Sequence, residues 1–142
     1  MITKTIALVS CVKKKKAVRC PAQDLYDSDL FRKMRCYAKQ HSDRWFILSA
    51  KYGLLSPETE IEPYERTLNT MRVHDRREWA DKVYAQMREH GLLHSGVSFL
   101  WLAGNKYKEH LADLLSDCSQ EDPLAGKGIG QRLKWLKDNV RS

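Results

Sequence analysis

Thr5-Ile-Ala-Leu-Val-Ser10, Trp45-Phe-Ile-Leu-Ser-Ala50 and Val97-Ser-Phe-Leu-Trp-Leu-Ala103 are three short apolar runs whose reading decides the fold. Each is rich in β-branched or aromatic residues, and each stops abruptly: before the lysines at 13–16, at Lys51-Tyr52-Gly53, and at Gly104. A strand with one wet face alternates apolar and polar residues, whereas a strand covered on both faces is apolar along its length. None of the three alternates, so each is expected to be a strand buried on both sides. Between them lie segments with helical spacing. Asp24 or Ser28 can cap a helix that runs through Leu30, Phe31, Met34, Tyr37 and Ala38, spaced by threes and fours. Trp79, Val83 and Met87 recur every fourth residue over 75–91, with Gly91 as a natural stop. Tyr107, Leu111, Leu114 and Leu115 predict a third helix, and Leu133, Trp135 and Leu136 anchor a short basic one over 131–140. Strands separated by helices connect through right-handed crossovers into a mostly parallel sheet. The expected fold class is therefore α/β and three-layer, a small mostly parallel sheet with helices on both faces.

Composition bounds the function. The chain has 142 residues, 42% hydrophobic and 30% charged, which argues for one domain over 1–142 with a core of its own rather than a disordered segment. No apolar run approaches the roughly 18 residues of a membrane span, and the opening MITKTIALVSC is too short for a signal peptide, so no membrane partner is expected. Cys11, Cys20, Cys36 and Cys118 form no CxxC pair, which fits a reduced, cytoplasmic protein. His41, His74, His90, His94 and His110 show no metal spacing, since Gly91 breaks the helix between His90 and His94. Gly126-Lys-Gly-Ile-Gly130 follows no strand and reads as a turn rather than a dinucleotide fingerprint, so neither metal nor cofactor is expected. Lys and Arg exceed Asp and Glu by 25 to 18, a net charge of +7 that is compatible with a polyanionic partner.

In open parallel sheets, ligands bind beyond the carboxyl ends of the strands. Here those ends read Ser10-Cys11 with Lys13, Ser49-Ala50-Lys51-Tyr52-Gly53, and Ala103-Gly104-Asn105-Lys106-Tyr107. Small residues let a ligand approach the backbone, and lysines with exposed N–H groups complement phosphate or carboxylate, so one anion-binding cleft is expected. Against this stands the bland reading that strand-to-helix turns favour Gly, Ser and Asn for geometry alone. Cys11 is either a nucleophile activated by nearby lysines or a small buried strand-end residue. The 54–71 stretch, with Pro57 and Pro63, predicts a long irregular connection of the kind that often carries function. Its Glu58, Glu60 and Glu62 read as solvated, while Glu65 and Asp24 are further carboxylate candidates; Asp24 can equally be a helix cap. A carboxylate in a cleft can stabilise an oxocarbenium ion or activate water, the usual chemistry of glycosidic bonds.

Five groups of residues carry a family resemblance: Leu8-Val-Ser-Cys11 with Lys13 and Lys15; Pro21-Ala22 with Asp24-Leu25-Tyr26, Ser28, Leu30 and Phe31; Ile47-Leu-Ser-Ala-Lys-Tyr-Gly-Leu-Leu55 with Pro57, Ile61-Glu-Pro-Tyr64 and Thr67-Leu68; Ala103-Gly104 with Tyr107; and Pro123-Leu124 with Gly126, Gly128-Ile-Gly130 and Trp135-Leu136. On these the sequence resembles small, mostly uncharacterised bacterial and phage proteins related to the YaaA peroxide-stress proteins. The resemblance implies DNA binding and protection against oxidative damage, with wider relatives that handle modified or deazaguanine bases. It implies a base pocket in which Tyr52 or Tyr64 stacks on a nucleobase, Ser10 and Ser49 bond its edge, and Lys13 or Lys51 holds phosphate. Ser10, Cys11, Lys13, Ser49, Tyr52, Gly53, Tyr64 and Gly104 are then the binding candidates, with Asp24 and Lys51 as the catalytic pair. The alternative for the same block is that the Tyr-Gly turn and the Pro-Tyr pair merely lock the long connection onto the sheet. The expected function is a nucleobase- or nucleotide-processing enzyme that cleaves or exchanges an N-glycosidic bond. The alternative is a non-catalytic nucleic-acid-binding protein of stress response or phage defence; on either reading the partner is a nucleobase, nucleotide or nucleic acid.

Overall fold

A computed structural model describes residues 2–12 and 15–140. In chain order the elements are β1 (Lys4–Ser10), β2 (Cys20–Pro21), α1 (Ala22–Leu25), α2 (Asp29–His41), β3 (Arg44–Ser49), β4 (Gly53–Leu55) and β5 (Glu60–Ile61). A 3-10 turn (Leu68–Thr70) leads into α3 (Val73–Glu89), β6 (Val97–Leu102), α4 (Asn105–Leu114), β7 (Ser119–Glu121) and α5 (Ile129–Asn139). The main sheet runs β4-β3-β1-β6-β7, parallel except for β4, and β2 pairs with β5 in a separate two-stranded ribbon.

The three apolar runs are the three central strands, and their burial explains why they do not alternate. Ile6 to Ser10 in β1, Phe46 to Ser49 in β3 and every residue of β6 are buried. The crossover from β1 to β3 leaves β1 in one direction, and the next returns past it to β6, so right-handed connections deliver their helices to opposite faces. Accordingly α2 packs on β1 and β3 together with α5, while α3 packs against α4 and β4. The result is the expected three-layer α/β arrangement.

Three local features settle or differ from the sequence expectation. Of the two cap candidates, Ser28 is the one that caps the helix: its Oγ accepts the N–H of Phe31 at 3.0 Å, and Asp24 falls in the separate turn of α1. The 54–71 connection is less irregular than expected, because Gly53 at φ 74° reverses the chain and lets Leu54 and Leu55 bury against β3, after which Ile61 pairs with Cys20. Strand β7 has no apolar pattern. It is an edge strand held by Gln120, which accepts from the Trp101 indole at 2.8 Å and donates to the Leu115 carbonyl at 2.8 Å. No helix among the described residues is long and apolar enough to cross a membrane, and the four cysteines form no disulfide.

Candidate functional site

The strand order switches between the parallel strands β1 and β6, because the chain leaves β1 for β3 on one side and returns to β6 on the other, so the crevice beyond their carboxyl ends is the topological switch point where doubly wound folds bind ligands. There the Gly104 N–H donates to Ser10 Oγ at 3.3 Å, joining the two strand ends. The Cys11 thiol donates to the Tyr107 hydroxyl at 3.3 Å, and that hydroxyl also receives the Leu68 N–H and meets Thr67 Oγ1, each at 3.4 Å. Burial, reinforced by Cys11, pushes the Tyr107 phenol well above its ordinary range, so it stays a neutral hydrogen-bonding group. These groups bound a cavity of about 250 Å³ that Leu30, Met34, Arg66 and Arg132 also line. A Cβ on Gly104 would meet nothing within 4 Å, so this residue leaves open space beside Ser10.

A second polar chain lies at the end of β3. Ser49, fully buried, meets the Tyr64 hydroxyl at 2.8 Å and accepts the Tyr52 N–H at 3.0 Å; the Tyr64 hydroxyl in turn meets that of Tyr26 at 2.6 Å. Burial is the main reason that both phenols are driven far up from their ordinary value. The rings of Tyr26 and Tyr52 stand edge-on to Tyr64, and the Lys15 ammonium lies 4.5 Å from the Tyr64 centroid. Tyr64 is thus engaged on several sides, and it fastens the long connection to the sheet.

Helix α3 holds the turn after β3 from outside. The Trp79 indole donates to the Ser49 carbonyl at 2.9 Å, Lys82 to the Lys51 carbonyl at 3.1 Å, and Gln86 to the Tyr52 carbonyl at 3.1 Å while accepting from the Leu54 N–H at 2.7 Å. Gly53 therefore faces α3, and its conformation serves this turn. Lys51 is exposed, with its ammonium 5.2 Å from the Tyr52 ring, and it lines two clefts of about 530 and 450 Å³. A further cleft of about 360 Å³ is bounded by Lys15, Glu65, Arg66 and Thr67. Arg66 borders all four spaces, which makes it the hub of the strand-end surface.

The fold thus brings Ser10, Cys11 and Gly104 together at one cavity and gathers Ser49, Tyr52, Tyr64 and Lys51 at the neighbouring strand end. Asp24 is elsewhere. It is half-exposed on α1, pairs with Arg35 at 3.3 Å, and lines none of these clefts. Lys13 lies outside the described residues. Sequence reasoning passed over Arg66 and Arg132, which sit in no pattern; Thr67 and Tyr107 stood within the family motif but without an assigned role. As for metals, the side chains of His74, Asp75 and Glu78 at the start of α3 bring ligand atoms within 4.8 Å of one another, all exposed, and His74 already meets Glu78 at 3.0 Å.

Sheet order, crossover pattern and polar switch-point cavity define a small doubly wound α/β protein with a cation-rimmed cleft. Residues 6–138 match DUF6884, a family of unknown function, and the chain belongs to that family. It is similar to Uncharacterized protein YfjM of Bacillus subtilis (strain 168), at 33% identity over 147 residues that cover 96% of this chain and 95% of that protein. No solved structure matches the chain. Membership in a small uncharacterised domain family is therefore shown, whereas neither match is to a YaaA protein.

Proposed function

We propose that the protein is an enzyme that cleaves or exchanges the N-glycosidic bond of a nucleoside or nucleic acid, with the base bound in the switch-point cavity. The observation that carries this reading is the composition of that cavity: apolar lining from Leu30 and Met34, hydroxyl and thiol groups from Ser10, Cys11, Thr67 and Tyr107, and two guanidinium groups. A flat heterocycle needs apolar contact for its faces and hydrogen bonds for its edge, and a phosphate needs cations. At about 250 Å³ the cavity is below the roughly 300–1,000 Å³ of sites for drug-sized ligands, so it suits a single ring system. Sugar and phosphate then fall in the adjoining cleft of Lys15, Glu65 and Arg66, and the scissile bond lies near Thr67 and Arg66, which border both spaces. Glu65 is the carboxylate of that cleft, and it takes the role of stabilising positive charge on the sugar that the sequence reading gave to Asp24. Arg66 and Arg132, which form no ion pair among the described residues, serve phosphate. The kinship with YaaA-type proteins, and through them with enzymes of modified bases, belongs to this same reading.

Incubation with nucleosides, nucleotides and DNA carrying modified bases, followed by chromatography, is expected to yield free base. Glu65→Gln should lower kcat by at least about 100-fold, the lower range for a positioned acid–base group. Arg66→Gln should act mainly on KM. Absence of free base from every substrate overturns the reading.

The same surface supports a second reading, a non-catalytic nucleic-acid-binding protein, because Lys51, Arg66, Lys82 and Arg132 all border the strand-end clefts. Counterion release then makes affinity for single-stranded DNA fall steeply with added salt. A binding constant that is flat across a salt titration sinks it.

A further inference from the structure

Lys15 is held differently from a solvated surface lysine. Its backbone bridges antiparallel to Tyr26, and the next N–H, of Lys16, donates to the Leu25 carbonyl at 2.8 Å. The side chain extends over two buried rings, with Nζ at 4.5 Å from the Tyr64 centroid and 5.7 Å from that of Tyr26. It also faces the cleft of about 360 Å³ that it shares with Glu65, Arg66 and Thr67. Desolvation by these neighbours pulls the ammonium below its ordinary range, and the nearby Cys11 and Glu65 only partly oppose it. A partly desolvated amine that shares its cleft with another cation, here Arg66, is a recognised environment of a nucleophilic lysine.

We propose that Lys15 is an amine nucleophile that attacks C1′ of the substrate sugar and forms a transient imine with it. This rests on the glycosidic reading of the same cleft and deepens it by naming the attacking group. The Nζ lone pair forms the bond to C1′ as the C1′–N bond breaks, and that electron pair leaves with the base. The proton lost from Nζ passes to the Glu65 carboxylate and on to the departing base nitrogen. The N,O-acetal at C1′ then opens at C1′–O4′, with O4′ taking a proton from solvent, which leaves a protonated imine between Lys15 and the open sugar. Water regenerates the amine and releases the sugar as its aldehyde.

Two measurements on the full chain test this. In the first, pyridoxal phosphate serves as a phosphorylated aldehyde probe, borohydride fixes the imine, and peptide mass spectrometry reads each lysine. Lys15 is expected to label on the order of tenfold faster than the exposed Lys16 near neutral pH, because partial burial over the two rings favours its uncharged amine. Equal rates at Lys15 and Lys16 overturn the proposal. In the second, borohydride is added during turnover of whichever substrate releases base, and a sugar adduct on Lys15 is expected, absent in Lys15→Arg, which keeps the charge over the rings. Base release with no adduct overturns the role of Lys15 and leaves the glycosidic reading standing. Fast labelling of Lys15 with no base released from any substrate overturns the attack on C1′ together with that reading.

Discussion

Gly53 turns the chain back at the end of β3 with φ +74°, and a Cβ at this position would run into the side-chain amide of Gln86. Gly53→Ala therefore incurs two costs: a left-handed backbone for an L-residue, about 1–2 kcal/mol, and displacement of an amide that satisfies the Leu54 N–H and the Tyr52 carbonyl. A combined loss of about 2 kcal/mol or more in urea denaturation is expected. In a cycle with Gln86→Ala the two substitutions should be non-additive by more than about 0.5 kcal/mol, because the single changes damage the same contact. Additive losses would refute the account. This shows what a sequence discloses at the scale of one residue: Tyr-Gly announces a turn, whereas the partner 33 positions on is a product of the fold. The two carboxylates make the same point. Asp24 and Glu65 look alike in sequence, and only packing sends one to Arg35 on the surface and the other to the cleft with Lys15.

Among the elements, the central strands were legible because burial on both faces forces an unbroken apolar run, and α2 and α3 were legible because one buried stripe forces a three-to-four spacing. β7 was not, since an edge strand of Ser, Gln and Glu owes its place to the side chain of Gln120 rather than to hydrophobicity. β2 and β5 are two residues each, too short for any period to declare itself. The start of α2 was readable only to within two candidates. Ser28→Ala should cost about 1 kcal/mol, as it leaves the Phe31 N–H without its cap. Asp24→Asn should cost no more than about 1 kcal/mol, since its pair with Arg35 is half-exposed and screened. Thermal or urea unfolding of the two variants side by side checks the order, and a larger loss from Asp24→Asn contradicts it.

Across the whole molecule the excess of +7 matters through where its cations end up. On α2, Arg32, Lys33 and Arg35 pair with Asp27, Asp29 and Asp24, whereas Lys51, Arg66 and Arg132 border the strand-end clefts. That asymmetry leaves the clefts cationic, and the polar groups inside them have to remain protonated for the cluster to hold. Tyr26, Tyr64 and Tyr107 are buried, and each is held above its ordinary ionisation range chiefly by desolvation. The folded value exceeds the unfolded one, near 10, so their contribution is complete below about pH 10 and is lost as pH rises from there toward the folded values. Each tyrosine that ionises only in the unfolded chain removes about 1.4 kcal/mol per pH unit, so three remove about 4 kcal/mol per unit. Lys15 has the opposite sign: its folded value is lowered, the unfolded chain binds the extra proton, and stability gains up to about pH 10.5. The gain from one lysine is smaller than the loss from three phenols, so urea midpoints should hold to about pH 10 and then collapse within about two pH units. Tyr64→Phe starts from a lower midpoint, because it strips the hydroxyl shared by Ser49 and Tyr26, yet its decline above pH 10 should be shallower by about a third, with one titrating phenol fewer. Midpoints that stay level through about pH 11, or an unchanged slope in Tyr64→Phe, would mean that these phenols ionise without unfolding the protein and that the hydroxyl cluster does not hold the strand ends together.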